Sequence, residues 1–299
     1  MPIFSILIAT LVAAIWGYNF VVIHYGLGEF PPLLFGSLRF VFAALPAILF
    51  VGRPCTSWRA VLAYGLCLTV EFGLIFVAMN EGFGAGLASV VLQTQAFFTL
   101  LLSALWIKDR PTAAQWVGVA VAFLGVVLLS GKPELLGGWY PLTLILLAAA
   151  IWGASNILVK QIAPSNGLNF VAWSSAIPPI PLFFLSLWMD GSSKVVQSVT
   201  HITATGWYSL AYIGWVSTVC GFALWTNLLR KYSANKVAPF TLLVPFFGIT
   251  SAHLLLSESF TRDQLIGSSL LILGLVFANL KRIQQPSLLT RPHPLVKGA

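Results

Sequence analysis

Charge is what this sequence has least of: 8% of its residues are charged and only eight are acidic, against 58% hydrophobic residues and a mean hydropathy of +0.91. A soluble domain carries roughly 25% charged residues, so a water-facing surface cannot be assembled from this chain, and lipid must be its solvent. Inside hydrocarbon the backbone has to satisfy its own hydrogen bonds, which leaves helices or closed barrels. Cysteine is scarce as well. The three present (Cys55, Cys67, Cys220) lack metal-ligand spacing, so neither a disulfide nor a zinc framework is implied. Cys67 and Cys220 sit in apolar runs and read as small packed thiols. The four histidines (His24, His201, His253, His293) are scattered and join no His/Asp/Glu cluster. A membrane-embedded enzyme would need a nucleophile with a base, or a metal cluster, so no catalytic residue, metal or cofactor is expected. A phosphate-binding loop is missing, which excludes an ATPase of that type. There is no repeated filter sequence of a channel and no long loop to hold a receptor's ligand. The first apolar run also lacks the basic leader and the cleavage site of a secretory signal, and reads as a spanning helix.

What is present is a series of long apolar runs without period-two alternation, which read as helices. A spanning helix needs about 20 mostly apolar residues. Breaking the chain at its Gly, Pro and charge clusters predicts ten of them: 3–25, 31–51, 58–80, 84–107, 112–130, 138–162, 168–189, 205–228, 236–257 and 262–281. The connections are short, and the Pro-broken basic tail over 282–299 reads as disordered. With the amino terminus inside, twelve of the sixteen Lys and Arg fall on inner segments. Only Lys132, Lys194 and Arg262 fall outside, and Arg39 lies within a span. That bias places both termini in the cytoplasm. The net charge of +8 therefore reports topology; it is dispersed over several inner segments and does not form the stripe that a nucleic acid would require.

The two halves resemble each other. Ile15-Trp16-Gly17 recurs as Ile151-Trp152-Gly153. Asp109-x-x-Thr112-x-x-Gln115-x-x-Gly118 with Gly125 recurs, at a constant offset of 149, as Glu258-x-x-Thr261-x-x-Gln264-x-x-Gly267 with Gly274. Five helices per half is an odd number, so the second half must enter the membrane upside down. The expected fold is an all-α polytopic protein of ten transmembrane helices in two inverted five-helix repeats, 1–134 and 135–281. Many secondary transporters share that architecture, with the binding site at the midplane between the repeats.

The Trp16-Gly-x-Asn19 element, Leu38-Arg39-Phe40, the Pro239…Pro245 helix and the acidic-x-x-Thr-x-x-Gln-x-x-Gly signatures resemble the EamA-type transporters of the drug/metabolite transporter superfamily. The resemblance runs to about Lys281. The stretch from Gly84 to Phe98 is most similar to the bacterial exporters of O-acetylserine, cysteine and related amino-acid metabolites. It implies a secondary transporter of the bacterial inner membrane, whose partners are the lipid bilayer, a small-molecule substrate and protons as candidate coupling ion. A multidrug transporter of the same fold is the alternative. Asp109 stands where this family usually has Glu, and Lys108 where it usually has Gly.

At a rise of ~1.5 Å per residue, Trp16, Arg39, Glu71 and Gln93 all lie roughly 12–14 Å below the outer edge of a ~30 Å core. Four helices thus bring four polar or aromatic groups to one layer. Arg39 and Glu71 are the only Arg and Glu deep within spans; a buried charge costs at least ~2.5–3.5 kcal/mol there and calls for a partner, so the two are candidates to pair, as a functional site or as a structural lock. Gln93 and Gln95 point about 200° apart, and depth favours Gln93; an interhelical hydrogen bond is the competing role. Trp16 with Asn19, and Trp152 with Asn156, share helix faces and sit too deep for an interfacial belt. The expected substrate-binding set is therefore Trp16, Asn19, Arg39, Glu71, Gln93, Trp152 and Asn156. Gly17 and Gly153 would admit a neighbouring backbone or a bend. Pro239 and Pro245 interrupt their helix, which completes the candidate hinge set. His253 reads as a satisfied interfacial side chain, and the Thr-x-x-Gln elements as helix caps.

Overall fold

In the computed structural model, residues 1–54, 56–108, 111–130, 138–232 and 234–284 are described, and every regular element among them is helical. The helices are α1 (Ile3–Leu27), α2 (Pro32–Val51), α3 (Trp58–Asn80), α4 (Ala85–Ile107), α5 (Ala113–Ser130), α6 (Trp139–Ile162), α7 (Gly167–Asp190), α8 (Ser192–Thr200), α9 (Ala204–Leu229), α10 (Pro239–Leu256) and α11 (Arg262–Gln284). Eight of them (α1–α4, α6, α7, α9 and α10) are long and apolar enough to cross a membrane, and α5 is a shorter apolar helix. Their bounds follow the predicted runs within a few residues. α11 continues to Gln284, and the rest of the tail lies outside the described residues, as do Cys55, Asp109, Arg110, Lys132 and Glu134.

Local chemistry explains where helices begin. Ser57, Asn166 and Thr203 each accept a hydrogen bond from the backbone N–H three residues on, at 3.3, 3.1 and 3.3 Å. Both signature elements are reciprocal capping boxes. The Thr112 N–H donates to Gln115 Oε1 at 2.8 Å, while the Gln115 N–H donates to Thr112 Oγ1 at 3.3 Å. Thr261 and Gln264 repeat the arrangement at 2.9 and 3.3 Å. The fourth and ninth predicted spans end alike too: Lys108 and Ser257, 149 residues apart, both turn left-handed at φ 59° and 56°.

Three features depart from the expected runs. α7 breaks between Ser174 and Pro179, where Pro178, Pro179 and Pro181 withhold backbone donors. A short amphipathic helix, α8, occupies what reads as a plain loop, with Val195 as its buried anchor. The middle of α9, Tyr212–Cys220, is wound as a π-helix, and α4 closes in another, Ser103–Ile107. Cys220 is exposed on this segment and so is not the packed thiol expected; Cys67 is half-buried.

The bundle is apolar outside and close-packed inside. Large side chains such as Phe4, Leu49, Phe50, Trp188 and Leu254 are exposed, as a lipid-facing surface requires. Because lipid is as apolar as leucine, helices associate through close approach at small residues. α5 and α11 cross antiparallel through glycines: a Cβ on Gly125 would meet the Gly267 carbonyl at 2.6 Å, and one on Gly274 would meet the Gly118 carbonyl at 2.5 Å. α1 and α6 make matching contacts with α10 and α4. A Cβ on Gly17 would meet Phe247 Cβ at 2.6 Å, and one on Gly153 would meet Phe98 Cβ at 2.6 Å. Both glycines lie in unbroken α-helix, and of their two expected roles, close approach is the one the contacts supply.

Candidate functional site

The residues expected at one layer fall into three separate clusters. The first lies between α2 and α3. Arg39 and Glu71 are 5% and 2% exposed, the most buried charges among the described residues. As candidates to pair they are close enough for each to feel the other's charge, but no hydrogen bond or ion pair joins them among the described residues, and Arg39 Nε, Arg39 Nη1 and Glu71 Oε2 are buried without a hydrogen-bond partner. The guanidinium instead lies over the ring of Phe72, 4.0 Å from its centroid, with Phe40 and Phe76 at 5.7 and 5.9 Å. A desolvated cation over an aromatic face gains about 2 kcal/mol, which competes with a charge partner that would itself have to be stripped of solvation. The ring is held in place. Phe72 meets Phe40 and Phe76 edge-on at 5.3 and 6.2 Å, Phe76 stacks on Phe35 at 5.3 Å, and Phe35 stacks on Phe30 at 5.6 Å. This phenylalanine spine runs from the outer end of α2 to Arg39.

The second cluster joins α4, α6 and α10. Asn156 Nδ2 donates to Gln95 Oε1 at 2.7 Å and to Thr99 Oγ1 at 3.1 Å. Depth alone favours Gln93, yet Gln95 is the glutamine that meets Asn156. A difference of 200° in heading outweighs two residues of depth. Gln93 has another task. It lies on a 3₁₀ turn, Leu92–Thr94, and Nε2 donates to the Thr241 carbonyl at 3.3 Å. Residue 245, four positions beyond Thr241, is proline and cannot donate to that carbonyl; the Leu243 N–H is directed to it within its own turn, and the Gln93 amide adds a donor from across the interface. Pro239 lies within the tightened turn Ala238–Leu242 and Pro245 follows it, and the expected interruption of the helix is there. Trp152 is half-buried one turn before Asn156.

The third cluster lies where α1 meets the π-helical part of α9. Trp16 Nε1 donates to the Ser217 carbonyl at 3.1 Å, and its ring packs on Phe222 and Trp225 at 5.5 and 5.3 Å. Asn19, one turn on, is buried, and its Oδ1 lacks a partner. Tyr18 and Tyr208 share a hydrogen bond at 3.2 Å, and Tyr212 donates to the Ile15 carbonyl at 3.0 Å. Sequence reasoning passed over these tyrosines, because α9 follows no α-helical period over Tyr212–Cys220.

One contact at an end of the bundle also went unread. The Glu258 carboxylate accepts the N–H groups of Ala85 and Gly86 at 2.7 and 3.1 Å, and so ties the loop after α10 to the start of α4. His253, exposed, donates from Nδ1 to the Glu258 carbonyl at 2.9 Å, the satisfied interfacial role expected of it. Glu258 helps line an outer cavity of about 260 Å³ with His24, Phe83 and Gln264.

A family model described as the EamA-like transporter family matches the chain twice, over residues 3–131 and 139–280. A protein of Escherichia coli named a probable amino-acid metabolite efflux pump is 41% identical over 278 residues, covering 90% of this chain and 92% of that protein. Its namesake in Salmonella typhimurium is 40% identical over the same shares. An uncharacterized transporter of Archaeoglobus fulgidus is 28% identical over 92% of this chain and 99% of its own. One crystal structure, 18% identical, superposes with a TM-score of 0.66 over 93% of this chain and 98% of its own, a likeness of fold alone.

Proposed function

The chain belongs to the EamA-like transporter family, and on that premise we propose that it exports a small zwitterionic amino-acid metabolite, of the cysteine or O-acetylserine kind, across a bacterial inner membrane. The observation that carries this reading is the Arg39–Glu71 layer: two opposite charges, both buried, each with polar atoms left without a partner. A guanidinium suits a carboxylate, a carboxylate suits an ammonium, and a zwitterion supplies both. A lipophilic cation would need the acid alone and would leave Arg39 unmatched. The substrate-facing set is Trp16, Asn19, Arg39, Glu71, Gln93, Trp152 and Asn156, to which the contacts of Asn156 add Gln95. Export agrees with the printed name of the relatives at 41% and 40% identity.

The mechanism in this reading is alternating access between two inverted five-helix halves, with α5 and α11 as the fifth and tenth spans. Support comes from features that recur in both halves: the double match of the family, the paired glycine contacts, the two capping boxes, and the left-handed ends at Lys108 and Ser257. The Glu258 clamp holds the outer ends together; its release, with bending at Pro239 and Pro245, opens the site outward. Both termini are cytoplasmic, as the charge bias dictates.

The test is export from whole cells. Overexpression should raise extracellular cysteine or O-acetylserine and protect against excess cysteine. Arg39→Ala or Trp16→Ala should abolish both while the protein still reaches the membrane. Flat metabolite levels alongside increased resistance to lipophilic cations would replace this reading with a multidrug one.

A further inference from the structure

The cation at the deepest site is held by an aromatic ring while a carboxylate stands at the same depth. Left to themselves in a medium of low dielectric, a guanidinium and a carboxylate collapse onto each other, since nothing else there offsets their charge. Here each feels the other's charge, yet no hydrogen bond or ion-pair contact closes between them among the described residues. Arg39 lies over Phe72, whose ring is gripped edge-on by Phe40 and Phe76, and Phe76 is backed by Phe35 and Phe30. Phe35 and Phe76 are fully buried and close off one side of the half-buried Phe72 ring. Glu71 precedes Phe72 on the same helix, and so heads about 100° away from it.

We propose that Phe72 is a positioning residue that keeps Arg39 and Glu71 from neutralising each other, so that both charges remain available to one ligand carrying a carboxylate and an ammonium. The ligand class rests on the function proposed above; the separation of the charges rests on the rings alone. A preformed Arg39–Glu71 pair would exclude a zwitterion, because the ligand would have to break it before binding. With Phe72 in place the ligand completes two half-made contacts, and discrimination follows. A substrate lacking either charge leaves the other buried group unpaired, which is penalised more heavily than a missing apolar contact.

The experiment uses the purified full chain and two readouts. In proteoliposomes, Phe72→Leu removes the π face but stays apolar. It should raise the half-saturating cysteine concentration about tenfold with the maximal rate unchanged, the pattern of lost uniform binding, and Phe72→Tyr should restore it. In detergent, unfolding midpoints of Arg39→Gln, Glu71→Gln and the double variant form a cycle. The coupling should be small in the Phe72 background and larger in the Phe72→Leu background. Equal coupling in both backgrounds, or an unchanged half-saturating concentration in Phe72→Leu, overturns the proposal. If the wild-type chain transports no zwitterion, the proposed function fails, and the unfolding cycle alone still decides whether Phe72 separates the charges.

Discussion

Replacing Gly125 by alanine probes the packing on which the two halves depend. In an open helix interior this change stabilises by about 1 kcal/mol, because alanine loses less backbone freedom. At Gly125 the added Cβ would lie 2.6 Å from the Gly267 carbonyl oxygen and 2.7 Å from the Leu271 amide nitrogen, both of them backbone atoms with no side chain to swing away. Carbon needs about 3.5 Å of clearance, so α5 and α11 must part by roughly 1 Å along a seam whose attraction is close contact. Overpacking of this kind costs about 1–3 kcal/mol. Setting that against the gain in propensity leaves a net loss of up to about 2 kcal/mol. The measurement is unfolding in detergent micelles. Gly167→Ala, where a Cβ would meet nothing within 4 Å, serves as the control and should lie within about 0.5 kcal/mol of wild type. Gly267→Ala should match Gly125→Ala, and the double variant should lose less than the sum, because one separation relieves both clashes. A Gly125→Ala protein stabilised by about 1 kcal/mol, the gain of an open helix interior, would refute the reasoning outright.

Glu258→Ala leaves the Ala85 and Gly86 N–H groups without their acceptors; hydrogen bonds to a charged group are worth about 1.5–3 kcal/mol each, reduced here because Glu258 is only half-buried. The outer end of α4 should then exchange its amide hydrogens faster, and unchanged protection would remove the clamp from the mechanism. Ser257→Gly relieves a left-handed residue at φ 56° and should stabilise by about 1 kcal/mol; a lower unfolding midpoint would contradict the strain. Gln95→Ala strips Asn156 of its 2.7 Å partner and should impair transport more than Thr99→Ala does; equal activity of the two variants would place Asn156 outside the site. A reporter fused after Lys281 should be active only on the cytoplasmic side, and periplasmic activity would reverse the assigned topology.

The chain's class, its helices and its internal duplication are determined by the sequence alone, because each follows from local or summed properties. Too few charges exist to face water, runs of apolar residues set the length of each span, and the recurring Thr-x-x-Gln element caps α5 and α11 by bonds only three residues long. The depth of Arg39 and Glu71 is equally legible, since it needs only a count along a helix. Heading and partnership are decided by the tertiary structure. Whether Arg39 meets Glu71 or Phe72 depends on how α2 and α3 are rotated against each other, and the spine from Phe30 to Phe40 sets that rotation through contacts made side by side across two helices. Gln95 displaces Gln93 as the partner of Asn156 because the 3₁₀ turn at Leu92–Thr94 turns Gln93 toward the Thr241 carbonyl, about 150 residues away. The Trp16 cluster required the π-helical turn of α9. Such features depend on pairs of residues distant in the chain, and a residue's own sequence neighbourhood carries no record of which distant group will stand opposite it.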